Sequence, residues 1–254
     1  LLDFSSCPVL EDLEMEDCNV WDSRRMTCPS SLKRLIMEGM ELPTESRMRI
    51  CAPGLVSLRL LGPRGRTPVL ESMPELLAAH VVVDWDSEDT CDSCSQREGD
   101  EGAEQFADDD NISQDTKKCV LLGGLSEATD LILISEDSRK GLEMVSHIFK
   151  LKTLLLNDYW CYPADCRPLG CILEHAPVLE KLTVLFSCEV EDNYKVEMEG
   201  RLDRTERSVA ISHHLKIIKV KCEVVDEGVY NLLKFMGALN IYVNVELMKN
   251  SKAI

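Results

Sequence analysis

The residues whose types could do chemistry are the cysteines, the histidines and a few short glycine or serine phrases. Among twelve cysteines, Cys91-Asp-Ser-Cys94 has the spacing that holds a metal or cycles between dithiol and disulfide. A structural zinc site needs a second ligand pair at matching spacing, and the sequence offers none, so two cysteines in a polar loop is the reading adopted. Cys161 and Cys166 flank Pro163, and a nucleophilic thiol there would need a base that the sequence does not supply. The five histidines, His80, His147, His175, His213 and His214, show no ligand spacing, and the adjacent pair would point to opposite sides of a strand. Leu122-Gly-Gly-Leu125 is too short to cradle a phosphate and precedes no suitably placed lysine. No Gly-x-Ser-x-Gly elbow occurs either. The expectation is a chain that is not an enzyme, with no catalytic residue, no cofactor and no metal, whose function lies in a surface.

The elements that build that surface are repeats. Cys7-Pro-Val-Leu-Glu-Asp-Leu-Glu-Met, Cys28-Pro-Ser-Ser-Leu-Lys-Arg-Leu-Ile-Met, Ala52-Pro-Gly-Leu-Val-Ser-Leu-Arg-Leu and Ala176-Pro-Val-Leu-Glu-Lys-Leu-Thr-Val are one phrase in four copies. Shorter echoes begin at Leu151 and Leu215. A small residue and a proline lead in; three apolar positions follow at spacings of three and two. Spacing two puts the last pair on one face of a short strand, and the leucine before them closes the turn into it. The first leucines fall at Leu10, Leu32, Leu55 and Leu76, 22, 23 and 21 residues apart, within the range of leucine-rich repeats. One unit cannot bury its apolar face alone, so stacked units are expected. The predicted fold is an α/β leucine-rich-repeat solenoid, with parallel strands on the concave side and helices and loops on the convex side. An amphipathic helical bundle fits less well, because proline precedes so many of the copies.

Along the chain, residues 1–83 read as the first part of the array. Residues 84–118 hold thirteen acidic side chains against three basic ones, net −10 of the chain's −17, and are expected to be a disordered insertion. Residues 119–190 resume the array, with a strand at 131–134, a helix at 138–150, a strand at 151–156, a helix at 168–175 and a strand at 179–185. Residues 191–212 are a polar connector, and 213–254 form a closing strand–helix–strand unit. In that unit Asp226 is predicted to cap a helix lined by Val229, Leu232, Leu233 and Met236 and stopped by Gly237. The charge of −17 argues against nucleic acid as a partner. With no apolar run near the ~18 residues of a membrane span and no signal-peptide pattern, neither a membrane nor a secretory route is expected. Cys7, Cys28, Cys171, Cys188 and Cys222, within or beside repeat phrases, are read as small buried apolar residues of a reduced protein in cytoplasm or nucleus.

Ala176-Pro-Val-Leu-Glu-Lys-Leu, Phe149-Lys-Leu-Lys-Thr-Leu-Leu-Leu, and His214-Leu-Lys-Ile-Ile-Lys-Val-Lys-Cys222 followed by Val229-Tyr-Asn-Leu-Leu-Lys-Phe resemble the plant F-box/leucine-rich-repeat proteins that end in an FBD domain. The resemblance covers nearly the whole chain outside the acidic insertion. It implies a protein-recognition module, the substrate-binding part of an F-box subunit of a cullin-type ubiquitin ligase, with a protein substrate as partner. The F-box itself is not found in these residues, so an adaptor partner is expected only if one precedes Leu1. A stand-alone repeat scaffold without a ligase link is the alternative. A small-molecule receptor is a third reading, for which no ligand pocket is marked. The expected contact surface is the set of residues between the core leucines: Asp12, Glu14 and Glu16; Arg34, Ile36 and Glu38; Ser57, Arg59 and Leu61; and Ile217, Lys219 and Lys221 at the far end. Its centre is expected at Asp130, Ile132, Ile134, Thr153, Leu155, Asn157, Lys181, Thr183 and Leu185, an apolar middle with a polar rim.

Overall fold

The computed structural model describes residues 1–71, 73–83, 87–88, 120–135, 148–161, 166–186, 214–238 and 243–248. They form an α/β protein of parallel strands with few helices and no closed barrel. Its first half holds β1 (Leu2–Asp3), β2 (Asp12–Glu16), β3 (Arg25–Thr27), β4 (Arg34–Glu38), β5 (Arg49–Cys51), β6 (Ser57–Leu61), β7 (Gly65–Arg66), β8 (Val69–Glu71), β9 (Ala78–Val83) and β10 (Ser87–Glu88). Then follow α1 (Val120–Gly124), β11 (Asp130–Ser135), β12 (Thr153–Asn157), a 3-10 helix (Asp158–Cys161), α2 (Arg167–His175), β13 (Lys181–Leu185), β14 (Ile217–Cys222), α3 (Glu227–Ala238) and β15 (Asn244–Leu247).

The repeated phrase has a local physical cause. The amide of Leu32 donates to the Pro29 carbonyl, Leu55 to Ala52, Leu76 to Met73 and Leu179 to Ala176, each at 3.1–3.2 Å. In three of these turns the residue after the acceptor is proline, whose fixed φ presets the turn's second position. The leucine that closes each turn is buried. Two residues further on the chain enters a strand, and there the units lock together. The Lys33 carbonyl accepts from the amides of both Val56 and Ser57, and Val56 accepts from Leu77 and Ala78. Leu77 takes Thr129 and Asp130; Thr129 takes Lys152 and Thr153; Lys152 takes Glu180 and Lys181; Glu180 takes Lys216 and Ile217. One carbonyl receiving two amides at every step fixes the register.

The product is a nine-stranded sheet in the order β2-β4-β6-β9-β11-β12-β13-β14-β15, every neighbour parallel. Two apolar ladders cross it on the inner face. Leu35, Leu58, Ala79, Leu131, Leu154, Leu182 and Ile218 stand in register, and so do Met37, Leu60, Val81, Leu133, Leu156, Val184 and Val220. All are buried, at roughly 1.5–3 kcal/mol for each large side chain removed from water. Leu13 and Met15 on the edge strand β2 are only partly buried.

Across the core, the first half departs from expectation. Instead of helices and loops, the second layer is a parallel sheet in the order β1-β3-β5-β8, with Met26, Ile50 and Leu70 in register and buried. Strand starts only 21–23 residues apart leave too little chain for a helix and two connections, so the return segment stays extended. Between β12 and β13 the starts are 28 apart, and the nine-residue α2 fits. Gly54 marks how tightly the units stack: a Cβ there would meet the Ser30 carbonyl oxygen at 1.9 Å.

The expected helix at 138–150 falls mostly outside the described residues; Ile148–Lys150 is not helical but carries a turn. Helix α1 was not anticipated from the sequence. The polar connector and most of the acidic insertion, with Cys91 and Cys94, also lie outside the described residues. Ser87–Glu88, at the insertion's start, instead pairs as β10 with β7. In the closing unit the Val229 amide donates to Asp226 Oδ1 at 2.9 Å, the predicted cap, and Val229, Leu232 and Met236 are buried. Gly237 is not the stop, for α3 runs through it to Ala238. Strand β15 pairs with β14 as the last strand of the closing unit, but Val245 and Leu247, turned to the inner side, remain exposed. Cys28 and Cys222 are buried free thiols as expected, whereas Cys7 is exposed.

Candidate functional site

Side chains that alternate with the inner ladders project from the outer face of the nine-stranded sheet, and register sets their neighbours. One row runs Glu14, Ile36, Arg59, His80, Ile132, Leu155, Thr183, Lys219. A second begins Asp12, Arg34, Ser57, Ala78 and continues through Asp130, Thr153, Lys181 and Ile217. On the third edge Glu16, Glu38, Leu61 and Val82 lead to Ile134, and Asn157, Leu185 and Lys221 follow. The central nine expected residues therefore share one face of three adjacent strands.

Several differ in availability from what the sequence predicts. Thr183 is only 6 % exposed, because a short side chain is overshadowed by Leu155 and Lys219 on the flanking strands and by Lys181 and Leu185 on its own. Ile36 is likewise buried at 9 %. Asn157 is not a free rim residue: its Nδ2 donates to the Ser135 carbonyl at 2.7 Å, and its Oδ1 accepts from the Ser135 amide at 3.1 Å. The side chain thus continues the sheet's hydrogen-bond ladder past the strand end. Ile132, Ile134, Leu155 and Leu185 are half-buried, with Ile132 and Leu155 in register on neighbouring strands, whereas Ile217 is 47 % exposed. Asp130 is exposed and accepts from Thr129 Oγ1.

Ala78, His80 and Val82 were not read as surface from the sequence. Ala78–Val83 is apolar except for its histidine, so its parity cannot be told from composition, and only pairing with β6 and β11 fixes it. Burial, and then the neighbouring Arg59, hold the His80 imidazole below its ordinary pKa. At the β2 end, charges neutralise one another: Arg34 Nε meets Asp12 Oδ1 at 2.9 Å. At the β13–β14 end, Lys181, Lys219 and Lys221 form no ion pair among the described residues.

A second polar group lies behind the end of the sheet, in the 3-10 helix against α2 and α3. Asp158 is 2 % exposed, and neither its Oδ1 nor Trp160 Nε1 has a hydrogen-bond partner among the described residues. Burial raises the Asp158 carboxyl to about 6, opposed by hydrogen bonds from the backbone amides of Asp158 and Tyr159, with the Asp226 charge adding to the rise. Cys161 shares a hydrogen bond with Cys166, and that bond, then burial, push its thiol well above the ordinary range. A thiol held protonated in this way is a poor nucleophile. No three His, Cys, Asp or Glu side chains converge as a metal site among the described residues.

Comparison with protein-family models, with curated proteins and with solved structures finds no match to this chain. No helix among the described residues is long and apolar enough to cross a membrane.

Proposed function

We propose that the chain is a leucine-rich-repeat solenoid whose outer sheet face, the concave side of the array, recognises another protein. The observation that carries this reading is the parallel sheet in unbroken chain order, built from one turn-and-strand phrase, with three adjacent strands presenting half-buried apolar side chains among charged ones. A rigid sheet of this kind offers many side chains without further ordering cost on binding. The resemblance to F-box/leucine-rich-repeat proteins with an FBD domain extends the reading. The module is then the substrate receptor of a cullin-type ligase in cytoplasm or nucleus, and ubiquitin transfer belongs to other subunits. A stand-alone interaction scaffold without a ligase link is the second reading.

The face is tested by Leu155→Ser with Leu185→Ser. Both side chains point outward, so the double variant is expected to stay folded and to lose at least ten-fold in affinity for a partner isolated with the wild-type chain. Leu154→Ser, on the inner ladder, is expected instead to unfold the array. Undiminished binding by the double variant rules out this face. Co-purification of the full gene product with the ligase adaptor separates the two readings.

A further inference from the structure

We propose that the β13–β14 end of the outer face takes an acidic peptide segment, its carboxylates on Lys181, Lys219 and Lys221 and its apolar side chains on Leu155, Leu185 and Ile217. This rests on the reading of the outer face as the recognition surface, and it names the chemistry of the partner.

The three lysines are an anomaly in a chain of net charge −17. Nearby, Lys216 pairs with Glu180 at 3.0 Å and Lys150 with Glu127, and at the other end of the same face Arg34 pairs with Asp12, whereas Arg59 and Lys152 form no ion pair among the described residues. Lys181, Lys219 and Lys221 form no ion pair among the described residues, although Glu246 stands in register beside Lys221. Register sets their spacing. Lys219 and Lys221 are two residues apart on one strand, about 7 Å, and Lys181 lies one strand over and diagonal to Lys219, about 8 Å. An extended peptide repeats its side chains on one face at about 7 Å, so acidic groups at alternate positions match the lysines.

Between the lysines the surface is apolar: Leu185 faces Lys221, Ile217 faces Lys181, and Leu155 borders the buried Thr183. Lysines that form no ion pair among the described residues, set around apolar contact area, are the complement of an acidic peptide carrying large aliphatic or aromatic residues. A nucleic acid fits less well. Among the described residues the patch holds no aromatic side chain on which a base could stack, and the acidic remainder of the chain opposes a polyanion.

The test is selection of peptides from a random phage-displayed library on the intact chain, followed by fluorescence anisotropy with the synthetic peptides at low and high salt. Selected peptides are expected to be rich in Asp or Glu interleaved with Leu, Ile or Phe and to bind more weakly as salt rises. They should lose about ten-fold or more in affinity for Lys181→Glu/Lys219→Glu/Lys221→Glu. The lysine-to-glutamine triple variant, which leaves no new repulsion, serves if the glutamate form does not fold. Neutral or basic winners, no winner, or tighter binding of a single-stranded oligonucleotide overturns the proposal. Peptides that lose affinity for Leu155→Ser/Leu185→Ser but not for the lysine variants overturn the acidic preference and leave the face standing. Peptides indifferent to both sets overturn the face itself.

Discussion

Asp158 enters the 3-10 helix directly after Asn157, and the two side chains show how differently adjacent polar residues can be placed. Asn157 spends both ends of its amide on the Ser135 backbone. Asp158 is buried with one oxygen unpartnered among the described residues, and burial lifts its carboxyl from 3.8 to about 6. A carboxyl with a raised pKa binds its proton more tightly folded than unfolded, so stability falls as pH rises from about 4 to about 6 and the loss is complete above that. The shift corresponds to about 1–3 kcal/mol. Asp158→Asn, which keeps the shape without the charge, is therefore expected to melt several degrees higher than wild type at pH 7 and to converge with it near pH 4. Thermal melts of both proteins across this range check it. Equal melting differences at pH 4 and pH 7 would show that the carboxyl carries no pH-linked penalty.

At the scale of the element, α3 shows how a short helix is specified. Asp226 accepts the Val229 amide, and Val229, Leu232 and Met236 recur at three- and four-residue spacing to form the buried stripe. Two variants separate cap from core. Asp226→Ala loses the cap, at about 1 kcal/mol, and should fold with a modestly lower melting temperature. Leu232→Asp places an unpaired charge where the side chain is fully buried, at about 3–5 kcal/mol, and should fail to accumulate as a folded monomer. Chemical denaturation of the first and size-exclusion chromatography of the second measure the contrast. A folded, monomeric Leu232→Asp protein would mean that α3 does not close the core.

For the whole molecule, the two-amide carbonyl steps make each unit depend on its neighbours and little on distant chain. Strands β9 and β11 pair directly along Ala78–Val83 and Asp130–Ser135, so the acidic stretch between them is not needed to bring them together. Replacing residues 89–116 by a short Gly/Ser link, while keeping Ser87–Glu88 in their pairing with β7, is expected to leave the melting temperature within a few degrees of wild type. Loop closure changes by only about 0.6 kcal/mol for each doubling of length. A fall of ten degrees or more would show that the segment packs on the array.

The sequence by itself determined what is local. A proline-led turn, a leucine that closes it and an alternating strand are written in consecutive residues, and their recurrence at 21–23 residues is enough to locate β2, β4, β6 and β9. Strand parity also sorted Leu154 and Leu156 inward from Leu155 outward, because a period of two leaves only that choice. What only the tertiary structure decided depends on partners far along the chain. The first half closes its core with a second parallel sheet, because short units must pair their return segments with one another, and no single segment announces this. The apolar run of β9 takes its facing from β6 and β11. Thr183 is buried by neighbours 28 residues before it and 36 after it, and Asn157 is bound to a backbone 22 residues away. The lysine patch joins the two orders: alternation placed Lys219 and Lys221 on the outer face, but only pairing of β13 with β14 set Lys181 beside them, since strand register is fixed by contacts that sequence distance hides.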